Sequence, residues 1–175
     1  MAAGPDLTQI YRDHHAFVWR IVRRLGVPDA GVDDAVQEVF VVLHRRRREL
    51  DFSGSIRGLL YGIARRVAKR SRDKAAAAAQ LRVVGSATAR ENPEADTATR
   101  QKAAVLQAAL DALDEGKRMT FVLADIEGLT IPEVAAAMEV NVNTCYARLR
   151  AARARLGEAV AEHHQAEKGH VQSGT

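Results

Sequence analysis

Four arginines, Arg148, Arg150, Arg153 and Arg155, stand within eight residues of one another beside Thr144 and Tyr146. A guanidinium pairs with guanine edges or clamps phosphates, so this group has the chemistry of a duplex-DNA contact. On a helix, Thr144, Ala147, Arg148, Ala151 and Arg155 share one face and Tyr146, Arg150 and Arg153 flank it, while Cys145, Leu149, Ala152 and Leu156 fall within roughly 60° of arc and turn inward. A second basic set lies at residues 55–74, with seven basic residues against one acidic. There Arg57, Tyr61, Arg65, Lys69 and Arg72 oppose Ile56, Leu59, Leu60, Ile63 and Val67, which span roughly 100°. Cations interleaved with a ring suit single-stranded nucleic acid, the charges holding phosphates and the ring stacking on a base. The histidines offer no rival chemistry. His14, His15 and His44 lack the carboxylate and cysteine neighbours of a metal site, and His163, His164 and His170 lie in a polar tail. The glycines form no phosphate-cradling loop. No catalytic group, metal or cofactor is expected.

A basic helix alone is commonly just a solvated face, so the argument rests on the elements that position these side chains. Thr130 can cap a helix that has Pro132 in its first turn and Glu133 at the capping-box position, with Ile131, Val134, Ala135 and Met138 as the buried stripe. A break at Glu139-Val140 follows, and Asn141 can cap the arginine-bearing helix. A short helix, a tight turn and a second basic helix form the layout of a DNA-reading helix-turn-helix.

Three helices precede it. The first covers residues 6–25, with Ile10, Phe17, Ile21 and Leu25 at helical spacing and Gly26-Val27-Pro28 as its stop. The second covers 30–48, opening on Asp33 and Asp34 and closing on Arg45 to Arg48, as the helix dipole favours; its stripe is Val36, Val39, Phe40 and Leu43. After a turn at 51–54 the third covers 55–74. Residues 75–100 hold a five-alanine run, then small and polar residues with Gly85, Asn92 and Pro93, which reads as an interdomain linker with helical stubs at its ends. Helices resume near Gln101, where Val105, Leu106, Ala109, Leu110 and Leu113 form a stripe, and residues 118–127 carry Phe121, Val122, Leu123 and Ile126 into the helix-turn-helix. The polar stretch 157–175 is expected to fray into disorder.

The 175 residues are 47% hydrophobic and 5% aromatic, and no stretch alternates between polar and apolar. The fold class expected is all-α: two small helical domains joined by a flexible linker, the C-terminal one containing the helix-turn-helix. Two lobes of fewer than about 80 residues each are only modestly stable alone. The net charge is +4, and its uneven distribution matters more than the total. Cys145 is the only cysteine; it excludes an internal disulfide, fits a reducing compartment and suits buried packing. With no signal peptide and no membrane-length apolar run, the expected location is the cytoplasm.

The order of parts resembles the extracytoplasmic-function sigma factors of bacterial RNA polymerase, over roughly residues 7–161. Three segments carry the resemblance. Asp33-Asp34-Ala-Val-Gln37-Glu38-Val-Phe40 is similar to the family's region-two signature. Arg57-Gly-Leu-Leu-Tyr61-Gly-Ile-Ala-Arg65-Arg66-Val-Ala is similar to its promoter-melting, minus-ten-reading helix. Asn141-Val-Asn-Thr144 with Arg148-Leu-Arg-Ala-Ala-Arg153 is similar to its region four, which reads the minus-thirty-five element. The resemblance implies a region-two-like domain at 6–74, a linker at 75–100, a region-four-like domain at 101–161 and a disordered tail at 162–175. It implies core RNA polymerase as partner, through the clamp helices of the beta-prime subunit and the flap of the beta subunit, along with promoter DNA and an anti-sigma factor. Asp33, Asp34, Gln37 and Glu38 would bind the clamp, with Phe40 mainly packing. Phe52, Ser53, Gly54 and Ser55 would hold a flipped minus-ten base, and Arg57, Tyr61, Arg65, Arg66 and Lys69 the opened strand. Asn143, Thr144, Tyr146, Ala147, Arg148, Arg150, Ala151 and Arg155 would face the minus-thirty-five duplex. The chain departs from the family pattern at Leu59, where tryptophan is common, and at Arg66, where asparagine is frequent. Tyr146 stands for a frequent lysine, Asn143 for a frequent glycine, and Glu139 for the glycine of the turn, whose left-handed geometry a Cβ opposes.

Two other readings use part of the same pattern. An operator-binding helix-turn-helix regulator explains 129–156 but leaves the Asp34-Gln37-Glu38 signature and the basic third helix without a task. A helical adaptor whose basic faces bind an acidic protein explains the charge but not the helix-turn-helix.

Overall fold

The computed structural model describes the backbone of residues 6–50, 52, 54–81 and 97–172. Among the described residues every regular element is helical: α1 (Leu7–Arg24), α2 (Val32–Arg46), α3 (Ile56–Leu81), α4 (Thr97–Asp111), α5 (Glu115–Phe121), α6 (Ile131–Met138) and α7 (Val142–Gln172). The chain divides into two compact units, one formed by residues 1–86 with 132–139 and the other by 87–131 with 140–175.

In the first unit α1, α2 and α3 pack pairwise around one core. Asp6 caps α1 by accepting from the Thr8 amide at 2.9 Å. The helix stops because Gly26 takes a φ of +79°, which suits a residue without Cβ, and Pro28 follows. The Arg72 guanidinium reaches back from α3 and donates to the Leu25 carbonyl, which the end of α1 leaves without a helical partner. The core comprises Phe17, Val18, Ile21 and Val22 of α1, Val36, Val39 and Leu43 of α2, and Leu60, Tyr61, Ala64 and Val67 of α3. A 3-10 turn at Asp29–Gly31 leads into α2, so that helix begins two residues later than its sequence pattern predicts.

α3 runs seven residues beyond the predicted end at Lys74 and takes in the alanine run. Alanine is the strongest helix former, and no glycine or proline intervenes before Gly85. Residues 82–96, the centre of the expected linker, lie outside the described residues.

In the second unit α4 and α5 pack against α7. Ala109, Leu110 and Leu156 form one buried cluster with Leu113, Phe121 and Ala159 half-buried around it. Met119, Val122, Leu123, Cys145, Leu149 and Ala152 are buried as well. Asp114 caps α5 by accepting from the Lys117 amide at 2.9 Å. A π-helical stretch, Val122–Ile126, continues α5. Its Glu127 amide reaches the Val122 carbonyl at 2.9 Å, a wider turn that leaves Ile126 exposed rather than in the expected stripe. α7 does not fray after Leu156 but remains helical to Gln172. Gly157 and Gly169 each cost about 1 kcal/mol in a helix, and the alanines and glutamates around them are good helix formers.

Candidate nucleic-acid interface

On α2 the buried Ala35, Val36 and Val39 set the phase of the helix, which leaves Asp33, Asp34, Gln37 and Glu38 exposed together. The two aspartates occupy the first turn, where the helix dipole favours negative charge. Glu38 is shared with α3: Arg70 Nη2 donates to its Oε1 at 2.7 Å, with both side chains about half exposed. Phe40 lies at the margin of the core rather than in it. Its ring meets Tyr11 edge-on at 4.8 Å between centroids, and both border a shallow hollow that Asp33 and Gln37 also line.

The basic strip of α3 differs from the sequence expectation. Arg65, Arg66, Lys69 and Arg70 are exposed in pairs one turn apart. Tyr61 is 0% exposed and belongs to the core, so it cannot stack on a base in this fold. The packed stripe is centred on Leu60, Tyr61, Ala64, Val67 and Ala68, rotated from the face that the larger aliphatic residues indicate. Arg57 is half-buried, its guanidinium 5.6 Å from the Phe17 ring centre, a cation–π contact. Arg72, placed on the strip by its spacing, is committed to the end of α1. Arg66 Nη2 meets Glu139 Oε1 at 3.0 Å, with both side chains mostly exposed, so the pair adds little stability.

In the loop before α3, Gly54 is exposed and Phe52 and Ser55 are half-buried; Ser53 lies outside the described residues. Ser55 Oγ accepts from the Gly58 amide at 3.3 Å, which caps α3. Gly54 and Ser55 border a groove whose walls include Val42, Leu50 and Leu59. The loop therefore has an apolar recess beside it.

On α7, Cys145, Leu149, Ala152 and Leu156 are buried as their spacing predicts. Burial pushes the Cys145 thiol above its ordinary range, against the opposing charge of Arg148. Asn141 caps the helix, its Oδ1 accepting from the Asn143 amide at 2.8 Å. The turn before it keeps left-handed geometry despite the missing glycine, with Glu139 at a φ of 57°. Asn143, Tyr146, Ala147, Arg150, Ala151 and Arg155 are exposed, Tyr146 by 57%. Thr144 and Arg148 are half-buried. Arg155 pairs with Glu158 one turn on, at 3.4 Å.

Two arginine contacts escaped the sequence pattern. Arg153 makes a forked pair with Asp125, Nε to Oδ2 at 2.8 Å and Nη2 to Oδ1 at 2.6 Å. Arg148 lies over Gly116, where an added methyl would come within 3.1 Å of Cζ and 3.3 Å of Nε. The Asp114 carboxyl is held below its ordinary range by hydrogen bonds from Lys117, with the charge of Arg148 adding to the effect. No local periodicity reports these partners, which lie far back in the sequence. Among the described residues no group of three or more His, Cys, Asp or Glu could hold a metal ion, and no helix is long and apolar enough to cross a membrane.

Comparisons with known proteins place the chain in a family. A family model described as Sigma-70 region 2 matches residues 10–78, and one described as Sigma-70, region 4 matches residues 103–156. The chain is 30% identical over 159 residues to the RNA polymerase sigma factor CnrH of Cupriavidus metallidurans, covering 85% of this chain and 83% of that protein. It is 30% identical over 166 residues to the ECF RNA polymerase sigma factor SigE of Mycolicibacterium smegmatis, covering 93% of this chain but spanning only 64% of SigE. The solved structure of CnrH in complex with the cytosolic domain of CnrY aligns with a TM-score of 0.65 at 25% identity, over 89% of this chain and 88% of that one. The sigma factor RpoE, solved with the anti-sigma factor NepR from Bartonella quintana, aligns with a TM-score of 0.69 over 88% of this chain and 96% of that one. At 16% identity the RpoE match speaks for the fold alone. The chain belongs to the extracytoplasmic-function sigma factors of bacterial RNA polymerase. Neither the operator-binding regulator nor the adaptor reading is favoured.

Proposed function

We propose that this sigma factor docks on core polymerase through α2, captures the opened minus-ten strand with α3 and its preceding loop, and reads the minus-thirty-five duplex with α7. The observation that supports this most is the phase of three helices. Each buries one apolar stripe and turns other side chains outward: Asp33, Asp34, Gln37 and Glu38 on α2, Arg65, Arg66, Lys69 and Arg70 on α3, and Asn143, Tyr146 and Arg150 on α7.

Asp33, Asp34, Gln37 and Glu38 form the surface for the clamp helices of the beta-prime subunit. The region-four-like domain, 101–161, meets the flap of the beta subunit. Arg65, Arg66 and Lys69 hold phosphates of the melted strand, with Arg57 at the edge of that surface. With Tyr61 in the core, Phe52 is the ring of this loop placed to meet a base, and the recess beside Gly54 and Ser55 offsets the few kcal/mol that base extrusion costs. Asn143, Tyr146, Ala147, Arg150 and Ala151 face the major groove. A DNA-binding module of this size buries only about 600–1,000 Å². Joining the region-two-like domain, 6–74, to the region-four-like domain through 75–100 raises the effective concentration of each at its own element. The chain has no catalysis of its own and works in the cytoplasm with the polymerase, whose core makes the RNA. CnrH is solved with CnrY and RpoE with the anti-sigma factor NepR, and we extend that relation to an anti-sigma factor for this chain.

Two charge changes separate the steps. Asp34→Ala should abolish co-elution with core polymerase, whereas Lys69→Ala should leave co-elution intact and weaken promoter opening followed by a fluorescent base in the minus-ten strand. A salt-sensitive duplex complex formed without polymerase, with neither variant altering transcription, would favour the operator-binding reading instead.

A further inference from the structure

We infer that Arg148 and Arg153 do not read DNA but fix the rotation of α7 about its own axis, so that Arg150 and its neighbours meet the groove. This rests on the proposal that α7 reads the minus-thirty-five element. At 100° per residue, and counting from Asn143, the exposed Tyr146, Ala147 and Arg150 lie within roughly 60° of it, opposite the buried Cys145 and Ala152. Arg148 and Arg153 stand on the two flanks, at roughly +140° and −80°. Arg153 is held by an ion pair, and Arg148 packs against the protein over Gly116. Arg153 spends both prongs of its fork on Asp125, whose side chain is only 24% exposed while that of Arg153 is 60% exposed. A bidentate guanidinium–carboxylate pair fixes direction as well as distance. On the other flank the missing side chain of Gly116 leaves room for the Arg148 guanidinium beside Asp114. Arg150, by contrast, is exposed and has no ion pair among the described residues.

The positioning role and direct contact predict opposite signs for one substitution. If Arg153 touched DNA, Asp125→Asn would free it and remove a nearby negative charge, strengthening use of the minus-thirty-five element. If the pair orients α7, the same change weakens it. The assay is transcription by reconstituted holoenzyme from a promoter with its minus-thirty-five element intact or scrambled, alongside thermal melts of each full-length variant. Asp125→Asn and Arg153→Ala should each lower the intact-to-scrambled ratio on the order of threefold, as a partly exposed pair allows, with no further loss in the double variant. Arg153→Lys should not rescue, since lysine keeps the charge but not the fork. Gly116→Ala, which crowds the Arg148 guanidinium out of its place beside Asp114, should lower the same ratio. Arg150→Ala should remove most of it. An increased ratio in Asp125→Asn, or full rescue by Arg153→Lys, would overturn the inference and make Arg153 a DNA contact. A loss that merely tracks a lowered melting temperature would also overturn it, making the pair a stability feature. If Arg150→Ala leaves the ratio unchanged, the reading of α7 itself fails, and the inference with it.

Discussion

Glu139 occupies the turn between α6 and α7 with a φ of 57°, in the region where a Cβ crowds the following carbonyl. That conformation costs an ordinary L-residue about 1–2 kcal/mol. Glycine escapes the clash but gives up about 0.5–1 kcal/mol through its freer unfolded chain. Glu139→Gly and Glu139→Ala both delete the carboxylate that Arg66 meets at 3.0 Å, so comparing them cancels the ion pair and isolates the backbone. The difference of the two central values leaves the glycine variant more stable than the alanine variant by about 1 kcal/mol. In a domain of this size that corresponds to about 4–8 °C in melting temperature. Parallel urea and thermal melts followed by far-ultraviolet circular dichroism measure it, with equal urea slopes confirming that the same surface unfolds. An alanine variant that melts with or above the glycine variant would refute the left-handed turn, and with it the account of how this chain manages without the family's glycine.

Tyr61→Phe should leave promoter opening unchanged, because the ring packs in the core, whereas Tyr61→Ala should destabilise the first unit by about 3–5 kcal/mol in urea melts; a Tyr61→Ala protein that melts normally but cannot open promoters would return the ring to DNA. Asp114→Ala should cost about 1 kcal/mol at neutral pH through loss of the α5 cap. Because the folded Asp114 carboxyl titrates below its ordinary 3.8, its charge stabilises the fold above that value and the contribution fades as pH falls through the folded value. The gap between wild type and variant should therefore narrow below about pH 4, and a gap that widens toward acid would contradict this. Cys145 is fully buried with its thiol pushed up, so thiol reagents should label it only in step with urea unfolding; rapid labelling of the folded protein would place it at the surface.

Capped helices with clean stripes were legible in the sequence. The inner face of α7 follows from Cys145, Leu149, Ala152 and Leu156, the cap from Asn141, and the exposed acids of α2 from the phase set by Val36 and Val39. α3 is rotated from its sequence reading because the wheel weighs large side chains, whereas this helix approaches its neighbours over Ala64 and Ala68, both at 0% exposure. That rotation carried Tyr61 inward and brought Arg70 onto the strip. On α7 the partners of the arginines are hidden from the sequence for a related reason. Arginine reads as polar wherever it stands, and only the fold reveals that Arg153 is 28 residues from the aspartate that holds it. α3 and α7 outrun the sequence reading, which takes the alanine run as linker and the polar residues after Leu156 as a fraying tail, whereas helix propensity carries both helices on.

Transcription from a pool of genomic fragments, run with core polymerase in the presence and absence of the protein and read by sequencing transcript starts, tests the central claim most directly. The account predicts new starts that share two upstream motifs and disappear with Asp34→Ala, while Arg150→Ala relaxes the upstream motif alone. If no new starts appear although the protein still binds duplex DNA, it does not act through polymerase and the account is wrong.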